Sequence, residues 1–285
     1  MNFDLSNVEW YGHRTDREVD IIFDGTPECV VKFKDTDHTL IVSGCSFTEA
    51  SSGEGYGQWG EFLAREIHYN SINHGKESSS NKMIAKKLRW QVLETLKTIP
   101  AEKIMVGVQW SCPTRQVIYL NNNSLSYYTK KGKHNRSWNC ASPITRFPLY
   151  DTDGVWRDLS VYFISTQKYD SRISAYYKLF ENADYFKIQT LEEIIYTQMF
   201  LKQHNIRYFM FPFTEVVLKD TNNNTSTKWL YDQIDFDHWL PVDSYENWFW
   251  TKRERIEVGT HPNQKENIEF ATTLITPFLK DKNWI

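Results

Sequence analysis

HTLIVSGCSFT, residues 38–48, decides the fold. The run from His38 to Gly44 is short, apolar and closed by a glycine, which predicts a strand buried on both faces, as in a parallel sheet. Beyond it the chain keeps a regular rhythm. YGQWGEFLAREI (56–67) carries Trp59, Phe62, Leu63 and Ile67 at helical spacing, and YNSIN (69–73) reads as a second strand. SSSNKMIAKKLRWQVLETLKTIP opens with serines able to cap a helix and closes at Pro100. EKIMVGVQW (102–110) is a third strand of near-continuous apolar character. Strand, helix, strand, helix, strand implies a parallel sheet with covering helices. Such sheets bind ligands at the carboxyl ends of their strands. The segments beyond Ser43, Ile72 and Gln109 read GCSFT, NHGKESSSN and WSCPTR, all small and polar, and are expected to converge.

Outward from this core, residues 1–37 read as an appendage, with a hairpin expected where DIIFDGTPECVVKFKD sets two apolar runs around Gly-Thr-Pro. After Arg115 the rhythm breaks. Residues 118–156 hold no long periodic run, and their tyrosines and tryptophans predict an ordered lid inserted at about 116–157. Residues 158–183 and 190–204 read as helices, the second opening with Thr190 and Glu193 in a capping-box pattern. IRYFMFPF (206–213) is a fourth strand, TKWLYDQID (227–235) a short helix, and PNQKENIEFATTLITPFL (262–279) an amphipathic closing helix with Pro262 at its start. The expectation is one α/β domain over residues 38–285, a three-layer α/β/α sandwich around a short parallel sheet.

Composition bounds the function. The 285 residues carry a net charge of -3, without the basic excess of a general nucleic-acid binder. No stretch approaches the ~18 apolar residues of a membrane span. The polar N-terminus lacks a signal-peptide core, so a soluble chain in the cytoplasm is expected. The four cysteines are widely spaced with no CxxC, which indicates neither a zinc site nor a disulfide framework. His68 and His74 have no carboxylate or cysteine at ligand spacing, so no metal and no cofactor is expected. IDFDHW clusters Asp235, Asp237 and His238 in what reads as a solvated turn, from which one acid could reach His261. Aromatic residues make up 15%, a share that suits a sugar cleft, a partner surface or a packed core alike.

Ser46 sits just beyond the first strand, where a turn places its hydroxyl at the sheet edge. Serine becomes a useful nucleophile only when a base accepts its proton. His261, in GTHPNQ before the closing helix, offers that base. Cys45 is expected to point away from Ser46 by strand alternation and, with Cys112, to pack.

GCSFT, INHGKESSSNKMI, VQWSCPTR and THPNQKENIEFA, in that order, resemble the SGNH (GDSL-type) hydrolases, especially divergent members common in phage and bacterial genomes. The likeness covers residues 38–115 and 185–280. It implies a flavodoxin-like sandwich and hydrolysis of esters, often acetyl groups on carbohydrates, with phage-encoded or virion-associated origin as one setting. Carried over by position, Ser46 is the nucleophile, with Cys45 in place of the usual aspartate, and His261 the general base. Ser78 takes the place of the oxyanion glycine, whose donor is main chain. Asn81 closes that motif and either holds the turn or points at substrate. Trp110 and Ser111 occupy the region of the third block. There Ser111 is an oxyanion donor, Arg115 either binds substrate or braces the loop, and Trp110 is expected at the substrate. The family's aspartate three residues before the histidine is replaced by Val258, and Glu257 is the nearest acid. The resemblance thus implies a serine esterase acting on a small-molecule or glycan ester. The departures leave two other readings: a weakened scaffold serving as a carbohydrate-binding or virion structural protein, and an acyltransferase using the same residues.

Overall fold

A computed structural model of the chain describes residues 8–11, 29–33, 35–49, 58–76, 79–121, 154–159, 183–219, 221–251 and 261–285. Its strands are β1 (Val8–Tyr11), β2 (Cys29–Phe33), β3 (Thr39–Ser43), β4 (Asn70–Asn73), β5 (Ile104–Trp110), β6 (Gln116–Asn121), β7 (Gly154–Leu159) and β8 (Arg207–Pro212). Six of them form one sheet in the order β1-β2-β4-β3-β5-β8. Within it β4, β3, β5 and β8 are mutually parallel, and β2 and β1 extend the β4 edge antiparallel. β6 and β7 form a separate antiparallel ribbon.

The parallel strands form because their side chains are buried on both sides: every residue of β3 and of β5 is buried. Alternation divides them between two cores. On one face Leu40, Val42, Met105, Phe209 and Phe211 meet α1 (Trp59–Glu66) and the closing helix, which runs from Gln264 to Asp281 with a π-helical stretch at Phe270–Ile275. On the other, Ile41, Val106, Val108 and Trp110 meet α2 (Asn81–Leu96) and α3 (Ala183–Gln203). The first core is rich in aromatic rings: Tyr245 lies 4.1 Å from Phe270 and 5.8 Å from Phe211. The aromatic share read from composition is therefore, in good part, packing.

Three expectations change. The strand paired with Cys29–Phe33 is Val8–Tyr11, and the first apolar run of the expected hairpin lies outside the described residues. This pair continues the main sheet rather than standing apart from it. Residues 158–159 belong to strand β7 where a helix is expected to begin, residues 160–182 lie outside the described residues, and the helix expected to open at Thr190 already begins at Ala183. The segment 118–156, read as lacking regular structure, contains most of β6 and the start of β7, whose pairing across the insertion leaves no local periodicity to detect.

The strand order reverses direction at β3, which has β4 on one side and β5 on the other. At such a switch point the loops leaving the two diverging strands part and leave a crevice. Here those loops are residues 44–49 and 111–115.

Candidate active site

The turn after β3 is closed on one carbonyl: Thr48 N–H and Glu49 N–H both donate to Cys45 O, at 2.8 and 3.0 Å. It is a single helical turn, so its leading N–H groups are the ones left over. Among the described residues, neither Ser46 N–H nor Phe47 N–H finds a main-chain acceptor. Gln109 of β5 clamps the turn. Its Oε1 accepts from Thr48 Oγ1 at 2.6 Å and from Cys45 N–H at 3.3 Å, and its Nε2 donates to Cys45 Sγ at 3.3 Å. Trp59 Nε1 adds a bond to Thr48 Oγ1 at 3.2 Å. Gly44 permits this closeness, because a Cβ there would sit 2.1 Å from Thr48 Oγ1. Every residue from Gly44 to Glu49 is buried except Ser46, which is half-buried and so the turn's point of access.

The loop after β4 locks the same turn from the other side. Asn73 Nδ2 donates to Thr48 O and to Glu61 Oε1, both at 2.6 Å, while its Oδ1 accepts from Gly75 N–H at 2.6 Å. Gly75 is required here, since a Cβ would lie 2.4 Å from the Thr48 carbonyl carbon. Glu61 is fully buried, and desolvation raises its pKa against the opposing pull of its hydrogen bonds from Asn73 and Gln58 N–H. Lys76 N–H donates to Gly44 O, and its ammonium pairs with Glu49 at 2.9 Å. Both charged side chains of that pair are nearly buried.

His261 arrives from the far end of the chain. Its ring lies 4.4 Å from that of Phe47, the residue after Ser46. Phe47 is itself packed on Phe213 at 4.2 Å, so the platform is rigid. The approach is fixed by Asn267, a buried residue of the closing helix. Its Nδ2 donates to Pro262 O and Asn263 O, and its Oδ1 accepts from Trp59 N–H and Tyr245 Oη. Asn263 caps the helix, with Glu266 completing a capping box. Burial holds the His261 imidazole below its usual range, Glu49 pulls the other way, and Arg115 reinforces the lowering. Burial and Arg115 thus favour the neutral ring, the form a general base needs.

The other expected residues fall as follows. Asn81 holds the crevice wall rather than pointing at a substrate: its amide accepts from Ser111 N–H at 2.7 Å and donates to Ser111 O and Thr190 Oγ1 at 3.0 Å. That bond occupies the Ser111 N–H. The Ser111 hydroxyl is buried and has no hydrogen-bond partner among the described residues. Arg115 is 4% exposed, with Nη1 directed at Ser79 O, 3.5 Å away. Trp110 is not at a binding surface. It alternates with Gln109 onto the α2–α3 face, is fully buried, and donates from Nε1 to Met210 Sδ. Ser78 and Glu257 lie outside the described residues. Asp235 pairs with Lys202 and with His238, whose ring stacks on Tyr208 near the start of β8, so this cluster belongs to the opposite end of the sheet from His261. Cys45 is buried and Cys112 half-buried.

Sequence reasoning passes over Glu49, Asn73, Lys76, Gln109 and Asn267. Asn73 and Gln109 sit at strand ends and Asn267 on an apolar helix face, while Glu49 and Lys76 lie on loops; each becomes informative only once its partner is known. Among the described residues no cluster of three or more metal-ligating side chains occurs, and no helix is long and apolar enough to cross a membrane. No hydrogen bond joins Ser46 to His261 among the described residues.

No family model matches the chain, and no curated protein matches it. Among solved structures it is similar to the crystal structure of LAE5, an alpha/beta hydrolase enzyme from the metagenome of Lake Arreo, Spain. The identity is 12% and the TM-score 0.35, over 87% of this chain and 96% of that one. A superposition at that score carries no chemical argument, and the functional reading rests on the residues themselves.

Proposed function

We propose that the chain is a serine ester hydrolase with Ser46 as nucleophile and His261 as general base. The observation that carries this is the joint placement at the switch point. The one accessible residue of a clamped turn is a serine, and the His261 imidazole rests on the ring of Phe47 beside it. In the reaction, Ser46 Oγ attacks the ester carbonyl as His261 takes its proton. The proton then passes to the departing alcohol, and a water activated by the same imidazole releases the acid from the acyl-enzyme. The Ser46 and Phe47 N–H groups serve as main-chain donors to the oxyanion, with the Ser111 hydroxyl as a further donor.

The finer reading is an SGNH-type enzyme on a flavodoxin-like sandwich. The order of its sequence blocks and the strand order β4-β3-β5-β8 support this. Its favoured substrate is an O-acetyl group on a carbohydrate, supported by the resemblance alone. The absent Ser46–His261 bond favours a second reading, a weakened scaffold, although catalytic hydrogen bonds often form only with substrate bound. An acyltransferase would use the same residues and differ only in its acceptor.

Labelling with a fluorophosphonate probe, followed by intact mass, tests the reading. Wild type is expected to take one probe, and Ser46→Ala and His261→Ala to take none. A folded wild type that stays unlabelled would make the scaffold the better account.

A further inference from the structure

Glu49 follows Ser46 by three residues on the turn closed at Cys45 O, and side chains three apart on a helical turn share a face. It is 6% exposed and held by Lys76, whose own main-chain N–H is bonded to Gly44 at the root of that turn. Phe47, between Ser46 and Glu49, carries the ring of His261. The geometry points to Glu49 as the positioning acid of the Ser46–His261 pair: a carboxylate on the nucleophile's own turn, anchored by Lys76, that stabilises the imidazolium formed when His261 takes the serine proton. The inference rests on the hydrolase reading above. It supplies from the turn after the first parallel strand an acid that the resemblance places in the loop before His261.

Three influences act on the imidazole. Burial is the largest and favours the neutral ring; Glu49 favours the protonated one; Arg115 opposes it. Lys76 faces Glu49 itself, and Glu266 on the closing helix is engaged with Asn263 N–H. Removing the Glu49 charge therefore lowers the His261 midpoint. Removing Lys76 takes away a positive charge that offsets the Glu49 carboxylate, and raises it.

The test is an NMR titration of the His261 imidazole in the intact chain, its signal assigned by its loss in His261→Gln. Glu49→Gln is expected to move the midpoint down by about one pH unit, Lys76→Gln to move it up, and Glu49→Asp to restore most of the wild-type value. An unmoved midpoint in folded Glu49→Gln overturns the pairing. If that variant does not fold, Lys76→Gln decides: an upward shift supports the pairing and no shift overturns it. The titration needs no substrate. A chain that refuses the fluorophosphonate probe yet shows these shifts loses the hydrolase reading and keeps the pairing. A labelled chain with an unmoved midpoint loses the pairing alone.

Discussion

At the scale of single residues, buried polar groups cluster around one turn. Asn73, Gln109, Glu61 and Asn267 each have their hydrogen-bonding atoms occupied. A buried group left without partners costs about 1–3 kcal/mol, so such a network holds a single arrangement. His74 shows the force of burial on a titrating group. It is 1% exposed, its Nε2 lies 2.7 Å from Gln91 Oε1, and desolvation brings its pKa down from 6.5 to about 4. The unfolded chain binds a proton below about pH 6.5, whereas the folded one resists until about pH 4. The His74 contribution to stability is therefore fully present above pH 6.5, falls as pH drops through that window, and levels below it, for a total of about 3 kcal/mol. Urea unfolding of wild type and His74→Gln at about pH 7 and about pH 4.5 checks this. The variant is expected to lose less stability on acidification, and equal losses would contradict the assignment.

At the scale of elements, α2 is set at both ends of its first turn. Ser80 accepts from Met83 N–H as its cap, and Asn81 ties the helix to the end of β5 and to α3. Ser80→Ala is expected to cost about 1 kcal/mol, the usual value of a cap. Asn81→Ala strands the Ser111 main chain and is expected to cost about 2 kcal/mol or more. It should also lower fluorophosphonate labelling, because the loop from 111 to 115 loses its tether. Urea midpoints and labelling rates compare the two. Elements of this kind are legible from sequence where burial is two-sided. The runs read at 38–44, 102–110 and 206–213 correspond to Thr39–Ser43, Ile104–Trp110 and Arg207–Pro212. The same logic fails for Val8–Tyr11, an outer strand whose partner is distant along the chain. It also misses Tyr245–Trp250, whose Ser244 cap precedes a helix of only 6 residues. That the turn carrying Ser46 and the distant His261 come to one place is readable from block order. The Glu49–Lys76 pair is not, because its members lie on two loops whose contact depends on Gly75.

At the scale of the whole molecule, β2 covers the outer edge of β4. An uncovered strand offers a row of free main-chain donors and acceptors to other chains. Deleting residues 1–34 is expected to produce self-association, read by light scattering against the full chain; a monodisperse truncated monomer would contradict that role for β1 and β2. The β6–β7 ribbon has a different consequence. Because Gln116 pairs with Leu159, the excursion between them departs and returns at one place. Lengthening a closed loop is cheap, at about 0.6 kcal/mol for each doubling. The intervening residues can therefore diverge, shrink or accept a foreign module with little effect on the sheet, which makes this ribbon the natural grafting point for inheritance and engineering alike.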